Sequence, residues 1–210
     1  MNVFFNENGI GDTLIVSLTD LPLEKQGFEK KGDAVRLYDT ETKKTAGFNL
    51  FGISKYGSIE GNGVIETSEQ VLDLINEVLK ANGFDDQLAA DQTPDFIVGY
   101  VKDKEKHPDA NKLSVCKVDT GNEELQIVCG APNVEQGQKV VVARVGAVMP
   151  SGTLIKEANL RGVDSYGMIC AARELDLPDA PQEKGILVLT NEYQVGGDFF
   201  GQYSVNKEKK

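Results

Sequence analysis

From residue 96 onward the chain is a succession of short β-rich runs with no long helical pattern: FIVGYVKDKE, LSVCKVDTG, LQIVCG, KVVVARV, YGMICAA and GILVLT. Turn signals separate them, among them Thr120-Gly121-Asn122, Pro132-Asn133 and Ser151-Gly152. Five or six short strands within about 110 residues predict a small closed or partly closed barrel, because closure is how such a chain removes its sheet edges.

The preceding residues follow a different plan. NVFF and TLIVSLT flank NENGIGD, whose Asn8-Gly9 pair reads as the turn of a hairpin, and AVRLYD and AGFNLFGIS form a second pair across the polar TETKKT. The period then changes. Val71, Leu72, Ile75, Val78 and Leu79 recur at helical spacing and predict a helix over 68–82, with Thr67 three residues before Gln70 as a candidate capping box and Gly83 placed to end it. Strands followed by one amphipathic helix make a small α+β unit.

Between the two plans lies DDQLAADQTPD, residues 85–95, acidic and without β alternation, which reads as a linker. The expected organisation is two domains: a small α+β domain over 1–92, without a motif that connects it to chemistry, and an all-β barrel over 93–202. The end of the chain, 203–210, reads as a frayed, solvated tail.

Composition bounds the function classes. Hydrophobic residues make up 40% and charged residues 26%, within the globular range. No apolar run approaches the roughly 18 residues needed to span a bilayer, and the start MNVFFNENGIGD lacks the basic patch and apolar core of a signal peptide; a cytoplasmic protein without membrane association is expected. The net charge is −11, distributed as −8 over 1–92, −5 over 93–202 and +2 over the tail. Such a chain repels nucleic acid at long range, so any RNA contact must rest on a local patch and a shaped surface.

Catalytic chemistry finds little support. The one histidine, His107, sits beside a proline in KHPDANKL, where a rigid exposed bend is the simpler reading than a nucleophile's partner. Cys116, Cys129 and Cys170 are far apart and form no CxxC, so neither a disulfide framework nor a zinc site is expected; they read as buried, reduced thiols in strands. There is no P-loop or dinucleotide fingerprint. No catalytic residue, metal or cofactor is therefore assigned.

Binding surfaces are better represented. HPDANKL offers Asn111 and Lys112 on a Pro-stiffened loop able to meet phosphate, sugar or base, although Asp109 and Asn111 equally suit the capping of a turn. Asn133 in CGAPNV can close an Asx-turn or face a ligand, and the turn is the simpler use. In NLRGVDSYGMIC, Asn159, Arg161, Ser165 and Tyr166 lie near a turn carrying Gly162 and Gly167, where backbone can approach a ligand and Arg161 supplies forked donors. Tyr166 and Met168 can contact an unstacked base. The alternation of Tyr166, Met168 and Cys170 against Gly167, Ile169 and Ala171 also fits an ordinary strand with one face in a core, and the residues alone leave both readings open.

The elements HPxAxxL, CGAPN, LRGVxSxGM and ExL, in that order, closely resemble the tRNA-binding OB-fold domain near the N-terminus of bacterial phenylalanyl-tRNA synthetase β chains. The same module occurs in the tail of methionyl-tRNA synthetases, in free-standing tRNA-binding proteins and in EMAP-II-type cofactors. The likeness covers about residues 94–200, and the whole chain resembles the free-standing YtpR-type tRNA-binding proteins of Firmicutes. The resemblance implies an OB barrel that recognises tRNA by shape, chiefly at its outer corner, without catalysis. By position it implies RNA contacts at Asn111 and Lys112, at Asn133, and at Arg161, Ser165 and Met168; Asn159 joins them from the reading of the residues. The expected partner is tRNA. Charge departs from the basic members, with Asp164 inside the motif, so binding is expected to be weak and salt-dependent. The acidic balance also supports a second function, a module that docks an aminoacyl-tRNA synthetase or other translation protein with the barrel as scaffold. Oligomeric state is not legible.

Overall fold

The computed structural model describes residues 1–89, 93–181 and 183–208. The chain forms two compact units, Met1–Gln92 and Thr93–Lys210. Residues 90–92 of the expected linker, and 209 and 210 of the expected tail, lie outside the described residues.

The first unit is a six-stranded antiparallel sheet with one long helix on one face. Strands β1 (Asn2–Phe5), β2 (Thr13–Ser17), β3 (Gln26–Lys31), β4 (Ala34–Asp39), β5 (Thr45–Phe51) and β6 (Gly63–Ile65) are ordered β3-β4-β5-β2-β1-β6. The expected hairpins are β1–β2 and β4–β5. The first is not closed by an Asn-Gly turn: Glu7–Ile10 form a short helix, α1, whose cap Asn6 accepts from Gly9 N–H at 2.8 Å. Helix α2 (Glu69–Ala81) buries Ile75, Val78 and Leu79 against Val3, Val16, Phe48 and Leu50, and Leu72 is buried as well. Ser68 rather than Thr67 caps it, its hydroxyl accepting from Val71 N–H. Each of these helix side chains contributes about 1.5–3 kcal/mol by leaving water.

The second unit is a nearly closed OB-type barrel. Strands β7 (Phe96–Lys106), β8 (Ser114–Asp119), β9 (Glu124–Cys129) and β10 (Lys139–Ala143) form its body. Two further elements, β11 (Ala158–Leu160) and β12 (Val163–Ser165), pair as a small hairpin. Strands β13 (Met168–Ile169) and β14 (Val188–Leu189) both pair with β10, giving the order β13-β10-β7-β8-β9. The long β7 carries a bulge between Val101 and Asp103, which bends one strand across the barrel. Ile97, Val101, Val118, Ile127 and Val142 fill the interior.

The terminus departs from the expected tail. Phe199–Glu208 form a helix, α3, with Asp198 Oδ2 accepting from Gly201 N–H at 2.6 Å. Phe199 is fully buried, and Phe200 meets Phe96 edge-on with ring centroids 5.3 Å apart. Three aromatic residues at 199, 200 and 203 give this end an apolar face that its lysines conceal in composition. Among the described residues no helix is long and apolar enough to cross a membrane.

Candidate nucleic-acid interface

The loop between β7 and β8 holds HPDANKL. Its ends are closed by backbone, with His107 N–H donating to Leu113 O and Leu113 N–H to Ala110 O. His107 is not on an exposed bend: it is 4% exposed. Its Nδ1 accepts from Asp109 N–H at 3.0 Å, and its Nε2 lies 2.8 Å from Leu160 O. A backbone N–H can only donate and a carbonyl can only accept, so the ring is the neutral tautomer protonated at Nε2. The imidazole turned inward because it has two backbone partners there, and Asn111 and Lys112 are left on the outside of the loop.

Leu160 belongs to the β11–β12 hairpin, whose two-residue loop is Arg161-Gly162. Both residues have positive φ, 51° and 86°, as a type I′ loop requires. Glycine adopts this without cost, whereas arginine is strained by about 1–2 kcal/mol. Asn159 closes the hairpin: its Oδ1 accepts from Gly162 N–H, and its Nδ2 donates to Asp164 Oδ1 at 2.7 Å. Arg161 Nη1 donates to Asp109 O at 3.1 Å, returning to the HPDANKL loop. Two motifs distant in sequence are thus held together by His107 and Arg161.

The end of LRGVxSxGM closes the barrel. Ser165 is 3% exposed; its hydroxyl accepts from Val128 N–H at 3.0 Å and donates to Gly167 O. Tyr166 N–H donates to Gln126 O, and Gln126 Nε2 to Asp164 O, so this segment substitutes for a paired strand beside β9. The chain then crosses to β10 at Gly167, where a Cβ would stand 2.8 Å from Ala143 O at a φ of 129°. Asn133 has a comparable structural use. Its amide accepts from Ile186 N–H at 2.8 Å and donates to Ile186 O at 3.0 Å, as a neighbouring strand would.

The structure therefore sorts the seven candidates. Asn111 and Lys112 are exposed, and Arg161 is exposed with one donor engaged and others available. The side chains of Asn133 and Asn159 are held by backbone or by their own hairpin, and Ser165 faces inward. Met168 is half-buried and lines two clefts, of about 580 and 280 Å³, which also share Arg173 and Glu174. Sequence reasoning passed over Lys106, exposed at the end of β7 one residue before the loop; its position beside the motif was the available signal.

Charge across the second unit is mixed. Lys102 pairs with Glu124 and Lys104 with Glu135, both at 2.9 Å, and Arg144 approaches Glu123 at 3.7 Å. Lys106 and Lys112 have no carboxylate within ion-pair distance among the described residues. The three cysteines are buried and unpaired. Burial pushes the Cys116 thiol up to about 11 and Cys170 up to about 12, so both are held neutral.

Two family models divide the chain in the same way. One described as "Putative tRNA binding domain" matches residues 96–198, and the other, "Domain of unknown function (DUF4479)", matches 22–91. Over 199 residues the chain is 60% identical to the "Putative tRNA-binding protein YtpR" of Bacillus subtilis (strain 168), covering 95% of this chain and 99% of that one. The chain belongs to the YtpR family. The aligned stretch is long enough to take in residues of both units. The second unit recurs in larger proteins: the phenylalanine–tRNA ligase beta subunit of Nitratidesulfovibrio vulgaris is 50% identical over 114 residues, 54% of this chain but 14% of that subunit. Among solved structures, the MetRS related protein from Pyrococcus horikoshii aligns at 27% identity and a TM-score of 0.37, covering 49% of this chain and 85% of that one.

Proposed function

We propose that this chain is a non-catalytic tRNA-binding protein, and that its second unit meets the RNA with the end of the barrel built from residues 107–113 and 158–165. The observation that carries this reading is the fastening of HPDANKL to LRGV through His107 and Arg161, which holds the family's motifs on one exposed edge beside Lys106 and Lys112. Lys106 and Lys112 act as point charges toward phosphates, and the remaining donors of Arg161 form a fork suited to one. Two rigid elements at fixed spacing read the positions of phosphates in a folded RNA, which is recognition by shape. Tyr166 and Met168 offer apolar contact to an unstacked base. The chemistry of the unit supports binding rather than catalysis: both ring nitrogens of His107 are engaged by backbone, and the cysteine thiols are neutral and buried.

The test is equilibrium binding of fluorescent tRNA at low salt, with duplex DNA of equal length as competitor. Saturable binding that the duplex displaces poorly is expected, weakened several-fold by Arg161→Ala. Equal competition by the duplex, or no binding, overturns the reading. A second function, docking of a synthetase or other translation protein, draws on the −8 charge of residues 1–92. Capture from lysate with and without nuclease separates the two, because a protein partner survives the nuclease and one bridged by RNA does not.

A further inference from the structure

The sheet of the first unit ends at β6. Among the described residues no strand pairs with its outer side, so its backbone presents an open edge of N–H and C=O groups. Side chains alternate along it. Ile65, opposite Val3, belongs to the core under α2, whereas Val64, opposite Phe4, faces away and is 52% exposed. Where β6 meets α2 there is a cleft of about 500 Å³, walled by Ile65 and Glu66, by the loop 58–60 and by the first turns of the helix. Ile59, Val71 and Leu74 pack against the core yet stay partly open to water, which makes the lining apolar. Glu60 and Glu66, both exposed, add carboxylates to it.

Charge around the cleft has one sign. Residues 56–79 contain five acids, Glu60, Glu66, Glu69, Asp73 and Glu77, and no lysine or arginine. None of the five has a cation within ion-pair distance among the described residues. Most of the −8 charge of residues 1–92 is therefore carried, uncompensated, by the segment that builds the cleft. Such carboxylates repel one another, and a cation brought among them relieves that repulsion.

Edge, lining and charge together select the occupant. An open strand edge takes a polypeptide, because another extended backbone supplies matching donors and acceptors at strand spacing. A strand added beside β6 keeps the pleat, so its residues next to Ile65 turn toward α2 and enter the cleft, where Ile59, Val71 and Leu74 receive apolar side chains. The carboxylates then call for lysine or arginine on either side. RNA and an anionic lipid surface meet like charge here, and a second copy of the chain brings a first unit of the same −8. We infer that the cleft and the edge of β6 bind an extended segment of a protein partner, in which lysine or arginine flanks alternating apolar residues. The site rests on the docking function of the first unit, and tRNA binding by the second unit is independent of it.

The test is fluorescence anisotropy of a labelled peptide, Lys-Thr-Leu-Thr-Leu-Thr-Lys, titrated with the full chain at about 50 mM salt, where surface charge is weakly screened. Its leucines share one face and its lysines flank them. Saturable binding is expected. The peptide with glutamate for lysine, with serine for leucine, or methylated on its backbone nitrogens binds more weakly, because each change removes one of the three matches. E60K and E66K each weaken binding of the lysine peptide about two- to fivefold. E24K, the same change of charge at an exposed site off the cleft, leaves it unchanged. The double variant E60K/E66K prefers the glutamate peptide. All these sites are exposed, so the chains stay folded, which circular dichroism verifies. Absence of saturable binding, equal binding of the glutamate peptide, or an E24K effect as large as those of E60K and E66K overturns the inference. If the peptide fails while capture of a protein partner from lysate persists, docking uses another surface; if both fail, the docking function is itself excluded.

Discussion

His107 Nε2 lies 2.8 Å from the carbonyl oxygen of Leu160, a residue 53 positions later in the chain. With Nδ1 held by Asp109 N–H, the ring joins the β7–β8 loop to the β11–β12 hairpin at a fixed distance. His107→Phe removes both bonds while filling the space. Thermal or urea denaturation is expected to show a loss of about 1–3 kcal/mol. Affinity for tRNA falls as well, although the histidine itself is buried. Unchanged stability and unchanged affinity together rule out its role as a fastener.

Arg161 separates stability from binding. Its strained φ of 51° makes glycine the better residue for the turn, while its bond to Asp109 O favours arginine. These contributions oppose one another, so Arg161→Gly is expected to shift stability by less than about 1 kcal/mol. tRNA affinity drops several-fold in the same variant. A drop in affinity matched by an equal loss of folded protein points to a purely structural arginine.

Ser165 behaves oppositely. Ser165→Ala leaves the Val128 N–H without its partner, at a cost of about 1–3 kcal/mol. Gly167→Ala, which forces a Cβ to 2.8 Å from Ala143 O, is the more severe change. Denaturation curves of the two variants rank them. tRNA affinity measured well below the unfolding transition falls because barrel closure loosens, not because a contact is removed.

Titration distinguishes the units. The Lys55 ammonium, through its 2.8 Å bond to Asp33, holds that carboxyl below its ordinary value of 3.8. A lowered folded value stabilises above the unfolded one, so this contribution is complete above about pH 4 and is lost as pH falls through the lowered value. Asp33→Asn flattens the acid limb of stability against pH. In the second unit the buried thiols of Cys116 and Cys170, raised from 9.0, favour folding below pH 9 and oppose it as pH rises beyond. A thiol reagent at pH 8 is expected to leave the native protein unmodified and to react with all three cysteines on denaturation.

The barrel was legible because β7 to β10 are short β-rich runs separated by glycine and proline turns, and α2 because its apolar spacing is unbroken. Strand β3, QGFEKK, was not, since an edge strand with a glycine and three charges lacks a core-facing pattern. The β11–β12 hairpin escaped because each strand has three residues and Arg-Gly is an unusual I′ pair. At the candidate site the motifs identified which residues matter but not where they point. Ser165 and Asn133 have groups equally suited to RNA or to backbone, and only the fold reveals Val128 N–H and Ile186 as their partners.

The salt dependence of tRNA binding shows directly whether a small cationic edge holds RNA to so acidic a chain. With about three to six phosphate contacts, log K is expected to fall against log salt with a slope of about −2 to −5. Lys112→Ala combined with Arg161→Ala is expected to make that slope shallower by about 1.5. A slope near zero, or one that the double substitution leaves unchanged, contradicts the assignment of this edge as the RNA-binding surface.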